Sequence, residues 1–172
     1  PDWSPDGTKI AFADGSALYV MDADGTNKNA VLSLPKTLPE GKLAKPTAVA
    51  WSPDGGSIAF IGLIEDESYR STGGYYSQGV YILDLASRNL KLVTKGVIYY
   101  AREYIQRYKE FSWSPDGSKI VLYLGAETKD YKAGVYTLDL ATGGLTFLLD
   151  TSKTQWHPSG NWVAYPGSIL RI

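Results

Sequence analysis

One five-residue phrase recurs along the chain and limits what it can fold into. Trp3-Ser4-Pro5-Asp6-Gly7 returns as Trp51-Ser52-Pro53-Asp54-Gly55 and as Trp113-Ser114-Pro115-Asp116-Gly117. A decayed copy reads Trp156-His157-Pro158-Ser159-Gly160. Repetition at roughly 40–50 residues belongs to propellers and solenoids, whose units bury their apolar faces only against a neighbour. The copies agree beyond the phrase. Seven residues after each Trp stands Ile10, Ile58, Ile120 or Val163, followed by Ala11-Phe12, Ala59-Phe60, Val121-Leu122 or Ala164-Tyr165. A second phrase then reads Leu18-Tyr19-Val20-Met21-Asp22, Val80-Tyr81-Ile82-Leu83-Asp84 and Val135-Tyr136-Thr137-Leu138-Asp139. A third apolar run closes each unit: Ala30–Leu32, Leu90–Val93 and Leu145–Leu149.

These runs are short, rich in β-branched and aromatic residues, and bounded by Gly, Pro, Asn or Asp, which is the chemistry of strands. Ser-Pro-Asp-Gly suits a type I turn: Pro presets φ at the second position, and Gly7, Gly55, Gly117 and Gly160 supply positive φ at the end. Each unit therefore reads as a four-stranded antiparallel meander, with the Trp on strand a, the Ile-Ala-Phe phrase on b, the Val-Tyr-x-Leu-Asp phrase on c and the last run on d. Such a sheet buries both faces when several pack radially. The predicted fold is all-β, a β-propeller segment with three near-complete blades and a partial fourth. The blades fall at about 1–34, 47–94, 111–149 and 154–172 of a single domain. Trp3, Trp51, Trp113 and Trp156 are expected between neighbouring blades.

The WSPDG…IAF…(L/V)Y(V/I)-(M/L)-D pattern resembles the TolB-like, WD-repeat-like blades of bacterial and archaeal propellers. The resemblance covers nearly the whole chain. Such blades occur in the periplasmic TolB partner of the Tol–Pal system, in the gating propellers of prolyl-oligopeptidase-like enzymes, in tricorn-like proteases and in some pectin-degrading lyases. It implies a fold shared by binding modules and enzymes alike.

Composition narrows the classes. The chain has 172 residues, 44% of them hydrophobic, and a net charge of −1 with both signs interspersed. No basic face emerges for nucleic acid. No stretch approaches a membrane-spanning helix in length. Cysteine is absent, which removes disulfides and thiolate zinc sites. That composition suits the periplasm or the cell exterior, the location implied by the TolB resemblance, and is equally compatible with the cytosol. Three blades and a fraction leave two blade faces without a neighbour, so self-association or further blades are expected to complete the ring.

The a–b and c–d turns are short, whereas the insertions fall in connections that a meander places on the other side. These are Pro35–Pro46, Gly62–Gly79, Lys95–Glu110 and Gly125–Ala133. Long loops on a rigid scaffold carry binding functions. Two of them are aromatic. One holds Tyr69, Arg70, Tyr75 and Tyr76; the other holds Tyr99, Tyr100, Arg102, Tyr104 and Tyr108. The spacing of Tyr100, Tyr104 and Tyr108 predicts a short helix over about 99–109 whose Tyr stripe packs on the rim or serves recognition.

Catalytic patterns are weak. Tyr75-Tyr76-Ser77-Gln78-Gly79 lacks the first Gly of a nucleophile elbow. His157 is the sole histidine, which argues against a Ser-His-Asp triad or a histidine metal site. Asp22-Ala23-Asp24-Gly25 resembles the start of a calcium loop but coincides with a c–d turn. Neither a Walker loop nor a dinucleotide fingerprint occurs. No catalytic residue, metal or cofactor is expected. The sequence favours a non-catalytic scaffold binding a protein or peptide through its long loops. The alternative is the substrate-gating propeller of a larger hydrolase or of a polysaccharide lyase.

Overall fold

A computed structural model describes residues 1–39, 41–65, 76–100, 111–124, 132–150 and 154–172. The chain forms two compact units, Pro1–Ile105 and Gln106–Ile172. Among the described residues every regular element is a strand, and the strands form four antiparallel meander sheets, the blades of a β-propeller fold.

In the first unit, β1 (Asp2–Trp3), β2 (Lys9–Ala13), β3 (Ala17–Asp22) and β4 (Asn29–Ser33) make blade 1. Blade 2 has five strands in chain order: β5 (Lys36–Leu38), β6 (Gly41–Trp51), β7 (Ser57–Glu65), β8 (Tyr76–Asp84) and β9 (Leu90–Tyr100). In the second unit, β10 (Phe111–Trp113), β11 (Lys119–Leu124), β12 (Gly134–Asp139) and β13 (Leu145–Leu149) make blade 3. The three-stranded blade 4 comprises β14 (Gln155–Trp156), β15 (Trp162–Tyr165) and β16 (Ser168–Arg171).

The repeat holds at the level of register. Trp3 pairs with Ile10, Trp51 with Ile58, Trp113 with Ile120 and Trp156 with Val163. Between strands c and d, each complete blade shifts register just before its Tyr, at Leu18/Tyr19, Val80/Tyr81 and Val135/Tyr136. A bulge at a fixed place re-aims the outer strand in the same way each time. Phe12 stacks on Tyr19 and Phe60 on Tyr81, both at 5.3 Å between ring centres. Blade 3 has Leu122 in place of the Phe, and Tyr136 instead meets Phe147 edge-on at 5.3 Å.

The repeat Trp of one blade seats on the blade before it. Trp51 packs with Ala11 of β2 and Ile58, flanked by Val20 and Val31 of blade 1. Trp156 packs with Val121 and Val135 of blade 3 and with Val163. Both are nearly buried, at 7% and 8% exposure. Trp3 departs from the expectation that every repeat Trp is covered. It is 55% exposed. Trp113 is half-buried.

Candidate functional site

The motif turns are built around one hydrogen-bond unit. In each intact copy the Ser hydroxyl donates to the Asp carboxylate, at 2.6 Å for Ser4–Asp6 and for Ser114–Asp116. The same oxygen accepts the N–H five residues on, from Lys9, Ser57 or Lys119, at 2.8–2.9 Å. Gly7, Gly55, Gly117 and Gly160 all have positive φ, from 69° to 76°, and their N–H groups close the turn on the first residue's carbonyl. The Ser hydroxyl bond, with the N–H of Thr8 after it, holds the Asp6 carboxyl down at about 2. Asp116 is likewise held at about 2 by the hydroxyl of Ser114, and Asp54 is lowered by that of Ser52. In the decayed copy, His157 Nδ1 and Ser159 Oγ lie 2.9 Å apart, and the N–H of Ser159 donates to the same ring nitrogen at 3.1 Å. The single histidine is thus a turn residue.

The strand-c aspartates also act locally. Asp84 accepts from the N–H and hydroxyl of Ser87, and Asp139 from those of Thr142. Asp22 pairs with Lys9 at 2.9 Å and accepts from Asn27. Asp24 accepts from Thr26, which makes Asp22–Thr26 a hairpin turn. Among the described residues no cluster of three or more His, Cys, Asp or Glu stands ready to hold a metal ion.

Blade 2 differs from its neighbours on the side where the sequence placed its loops. Much of those loops is strand. The stretch Pro35–Pro46 contains β5 and the start of β6, and the stretch Gly62–Gly79 is β7 and β8 at its two ends. β9 runs to Tyr100, so Tyr99 and Tyr100 lie in a strand, not at the start of a helix. The reason lies in the residues. Leu63-Ile64 and Val97-Ile98-Tyr99-Tyr100 are strong strand formers and prolong existing ladders, which overrides a four-residue Tyr spacing. Pro46 is accommodated in β6 because register shifts flank it on both sides.

The prolonged strands extend the core between blades 1 and 2. Leu43 and Ile64 are fully buried and join Leu18, Phe60 and Tyr81 in one cluster. Gly62 and Gly79 face each other across β7 and β8. A Cβ on Gly62 would run into Leu43 and stand 3.0 Å from the Tyr81 ring, and one on Gly79 would stand 2.7 Å from Leu92 and 3.2 Å from the same ring. Two residues that read as loop glycines therefore make room for a core aromatic.

This extension brings three of the candidate tyrosines to neighbouring register positions. Tyr76 pairs with Tyr100 and Ser77 with Tyr99 across β8 and β9, while Glu65 pairs with Tyr76 on the other side. Tyr69, Arg70, Tyr75, Arg102, Tyr104 and Tyr108 lie outside the described residues, as do 101–109 of the expected helix. β9 is the outermost strand of its sheet and runs eleven residues, against five for β4 and for β13. Sequence reasoning missed this long edge. The signal was the run Leu90–Tyr100, which holds no Pro and resumes as Val97-Ile98-Tyr99-Tyr100 after its one glycine, Gly96.

No protein-family profile and no curated protein matches the chain. Solved structures do. A protein assigned as TolB from Agrobacterium tumefaciens aligns over 94% of this chain and 50% of its own, at 21% identity and a TM-score of 0.61. An oligogalacturonate lyase solved with manganese aligns over 96% of this chain and 46% of its own, at 14% identity and 0.63. The dipeptidyl peptidase 4 of Porphyromonas gingivalis aligns over 90% of this chain and 26% of its own, at 12% identity and 0.51. The chain thus spans about half the length of the first two. Among the described residues no helix is long and apolar enough to cross a membrane. Enzymes and a TolB share this architecture, and the fold of the chain is that of a TolB-like β-propeller.

Proposed function

We propose that the chain is a non-catalytic propeller scaffold that binds a protein or peptide through the prolonged end of blade 2. The observation that carries this is the eleven-residue edge strand β9, with Tyr99 and Tyr100 in register beside Ser77 and Tyr76. An extended peptide adds to such an edge through main-chain hydrogen bonds, while neighbouring side chains select its sequence. Tyr supplies large contact area at low entropic cost. The buried Leu43–Ile64–Tyr81 packing beneath the extension supports a preorganised surface. A periplasmic or extracellular location belongs to the same reading.

The test is selection from a displayed random-peptide library on the wild-type chain, followed by affinity measurement. Tyr99→Ala with Tyr100→Ala is expected to weaken the selected peptide at least tenfold, with the circular dichroism spectrum unchanged. An affinity unaltered by the pair removes the site. The rival reading, a gating propeller within a larger hydrolase or lyase, draws on the fold shared with the lyase and the peptidase. Its test is the gene: a G-x-S-x-G segment in frame beyond Ile172 favours the enzyme.

A further inference from the structure

Blades 1, 2 and 3 each end in an outermost strand, and the charges on those strands differ. β4 reads Asn29-Ala30-Val31-Leu32-Ser33 and β13 reads Leu145-Thr146-Phe147-Leu148-Leu149, with no ionisable side chain in either. β9 carries Lys91 and Lys95 and no acid from Leu90 to Tyr100. Lys91 is exposed. The acid that precedes the strand, Asp84, is held in its own turn by the N–H and hydroxyl of Ser87. The longest outer strand is thus also the one with a net positive charge.

Main-chain pairing at a sheet edge is indifferent to sequence, so a partner strand is chosen by the residues it sets opposite each side chain. An edge lysine opposes a strand that brings another cation, and forms a cross-strand ion pair with one that brings a carboxylate. The same charge that guards an edge against unselective pairing therefore discriminates among partners. Register places the two lysines. Lys91 stands beside Ile82 and Lys95 beside Gly79. β8 runs from Ile82 to Gly79 without a register shift against β7, so these positions lie on opposite faces of the sheet. A strand that meets both lysines brings two acids with the spacing of Gly79 and Ile82, one on each face.

We infer that the partner taken by the β9 edge is an acidic extended peptide, with Lys91 and Lys95 selecting its charge. The inference rests on the peptide-binding role given to blade 2 and adds the chemistry of the partner. The preference is local to the strand. The chain as a whole carries a net charge of −1, so its overall field does not draw in acidic partners.

Fluorescence anisotropy of two labelled peptides with the purified chain tests this. One reads Thr-Tyr-Glu-Val-Thr-Glu-Val-Tyr-Thr, and the other carries Lys at both Glu positions. The Glu peptide is expected to bind at least roughly tenfold tighter than the Lys peptide, and to weaken as salt rises. Lys91→Glu with Lys95→Glu should reverse the order, and Lys91→Gln with Lys95→Gln should abolish it. Lys36→Glu with Lys45→Glu, at exposed positions of β5 and β6, should leave it unchanged. Circular dichroism and thermal melts show that each variant is folded. A preference that survives both changes at Lys91 and Lys95, or that moves as far with Lys36 and Lys45, overturns the inference. Equal affinities that still fall with Tyr99→Ala and Tyr100→Ala overturn the acidic preference and leave the site standing. If neither peptide binds, the inference falls, and the site falls with it when library selection also yields no peptide that depends on the tyrosines.

Discussion

Trp51 and Trp3 occupy the same place in the repeat and should differ sharply in what they contribute. Trp51 is 7% exposed, wedged against Ala11, Val20 and Val31 of blade 1. A buried Trp removes on the order of 150–250 Å² from water, which at roughly 25 cal/mol per Å² is about 4–6 kcal/mol. Its indole N–H is buried without a hydrogen-bond partner, which opposes that gain by about 1–3 kcal/mol. Trp51→Ala should therefore cost about 3 kcal/mol, near the low end for large aromatic deletions. Trp51→Phe keeps most of the apolar area and deletes the unsatisfied donor, so it should cost less than about 1.5 kcal/mol. Trp3→Ala, in the monomer, should fall within about 0.5 kcal/mol of wild type. Urea denaturation followed by circular dichroism, at a concentration where sedimentation shows monomer, ranks the three. Equal costs for Trp51→Ala and Trp3→Ala would refute the seating rule. A Trp51→Phe cost equal to that of Trp51→Ala would mean that the indole nitrogen is satisfied after all.

Gly62→Ala should destabilise by about 1–3 kcal/mol through overpacking against Leu43 and Tyr81, whereas Gly56→Ala, whose Cβ would meet Asp54 at an ordinary 3.5 Å, should stay within about 0.5 kcal/mol. Thermal melts of the two variants decide it. Acid should unfold the chain partly through the motif turns. The carboxyls of Asp6, Asp54 and Asp116 sit below their ordinary 3.8 in the folded state, so their stabilisation is complete above about pH 5. It is lost as pH falls through 3.8 toward about 2, and an Asp→Asn change at all three should flatten that part of the stability–pH curve.

The blade interior was legible because its constraints are local and repeated. Trp3↔Ile10 and its three equivalents follow from a fixed seven-residue spacing across a turn whose Pro and Gly leave few conformations. The loops of blade 2 were less legible. Gly62 and Gly79 carry turn chemistry in sequence, and only the packing of Leu43, Leu92 and the Tyr81 ring against them shows why side chains are missing there. The Tyr spacing at 100, 104 and 108 fits a helix on paper, but pairing with β8 decides the conformation of Tyr99 and Tyr100. The candidate tyrosines were visible as residues, while the edge strand that organises two of them depended on a ladder partner distant in sequence.

The decayed fourth copy separates two kinds of constraint within one motif. Trp156 and Gly160 are retained, and both face the preceding blade, at Val121 and Pro115. Pro158 is retained on the opposite, open side. The residues that changed, Ser to His157 and Asp to Ser159, are the two that bond to each other inside the turn, and they changed together into another bonded pair. Inter-blade residues are therefore fixed singly, and intra-turn residues as a couple. The intact pair Ser114–Asp116 tests this. Ser114 is 2% exposed, donates to Asp116 at 2.6 Å and accepts from the N–H of Lys119 at 2.8 Å. Ser114→Ala alone should cost about 1–3 kcal/mol, because it leaves the Lys119 N–H without its acceptor. Asp116→Ala alone should cost less, since the Ser hydroxyl can turn to another acceptor such as the carbonyl of Lys119 at 3.1 Å. The double variant should cost less than the sum, with a coupling of at least about 0.5 kcal/mol, the level at which contacting residues depart from additivity. Additive costs in that cycle would mean that the two residues act independently, and the paired replacement by His157 and Ser159 would then need a different cause.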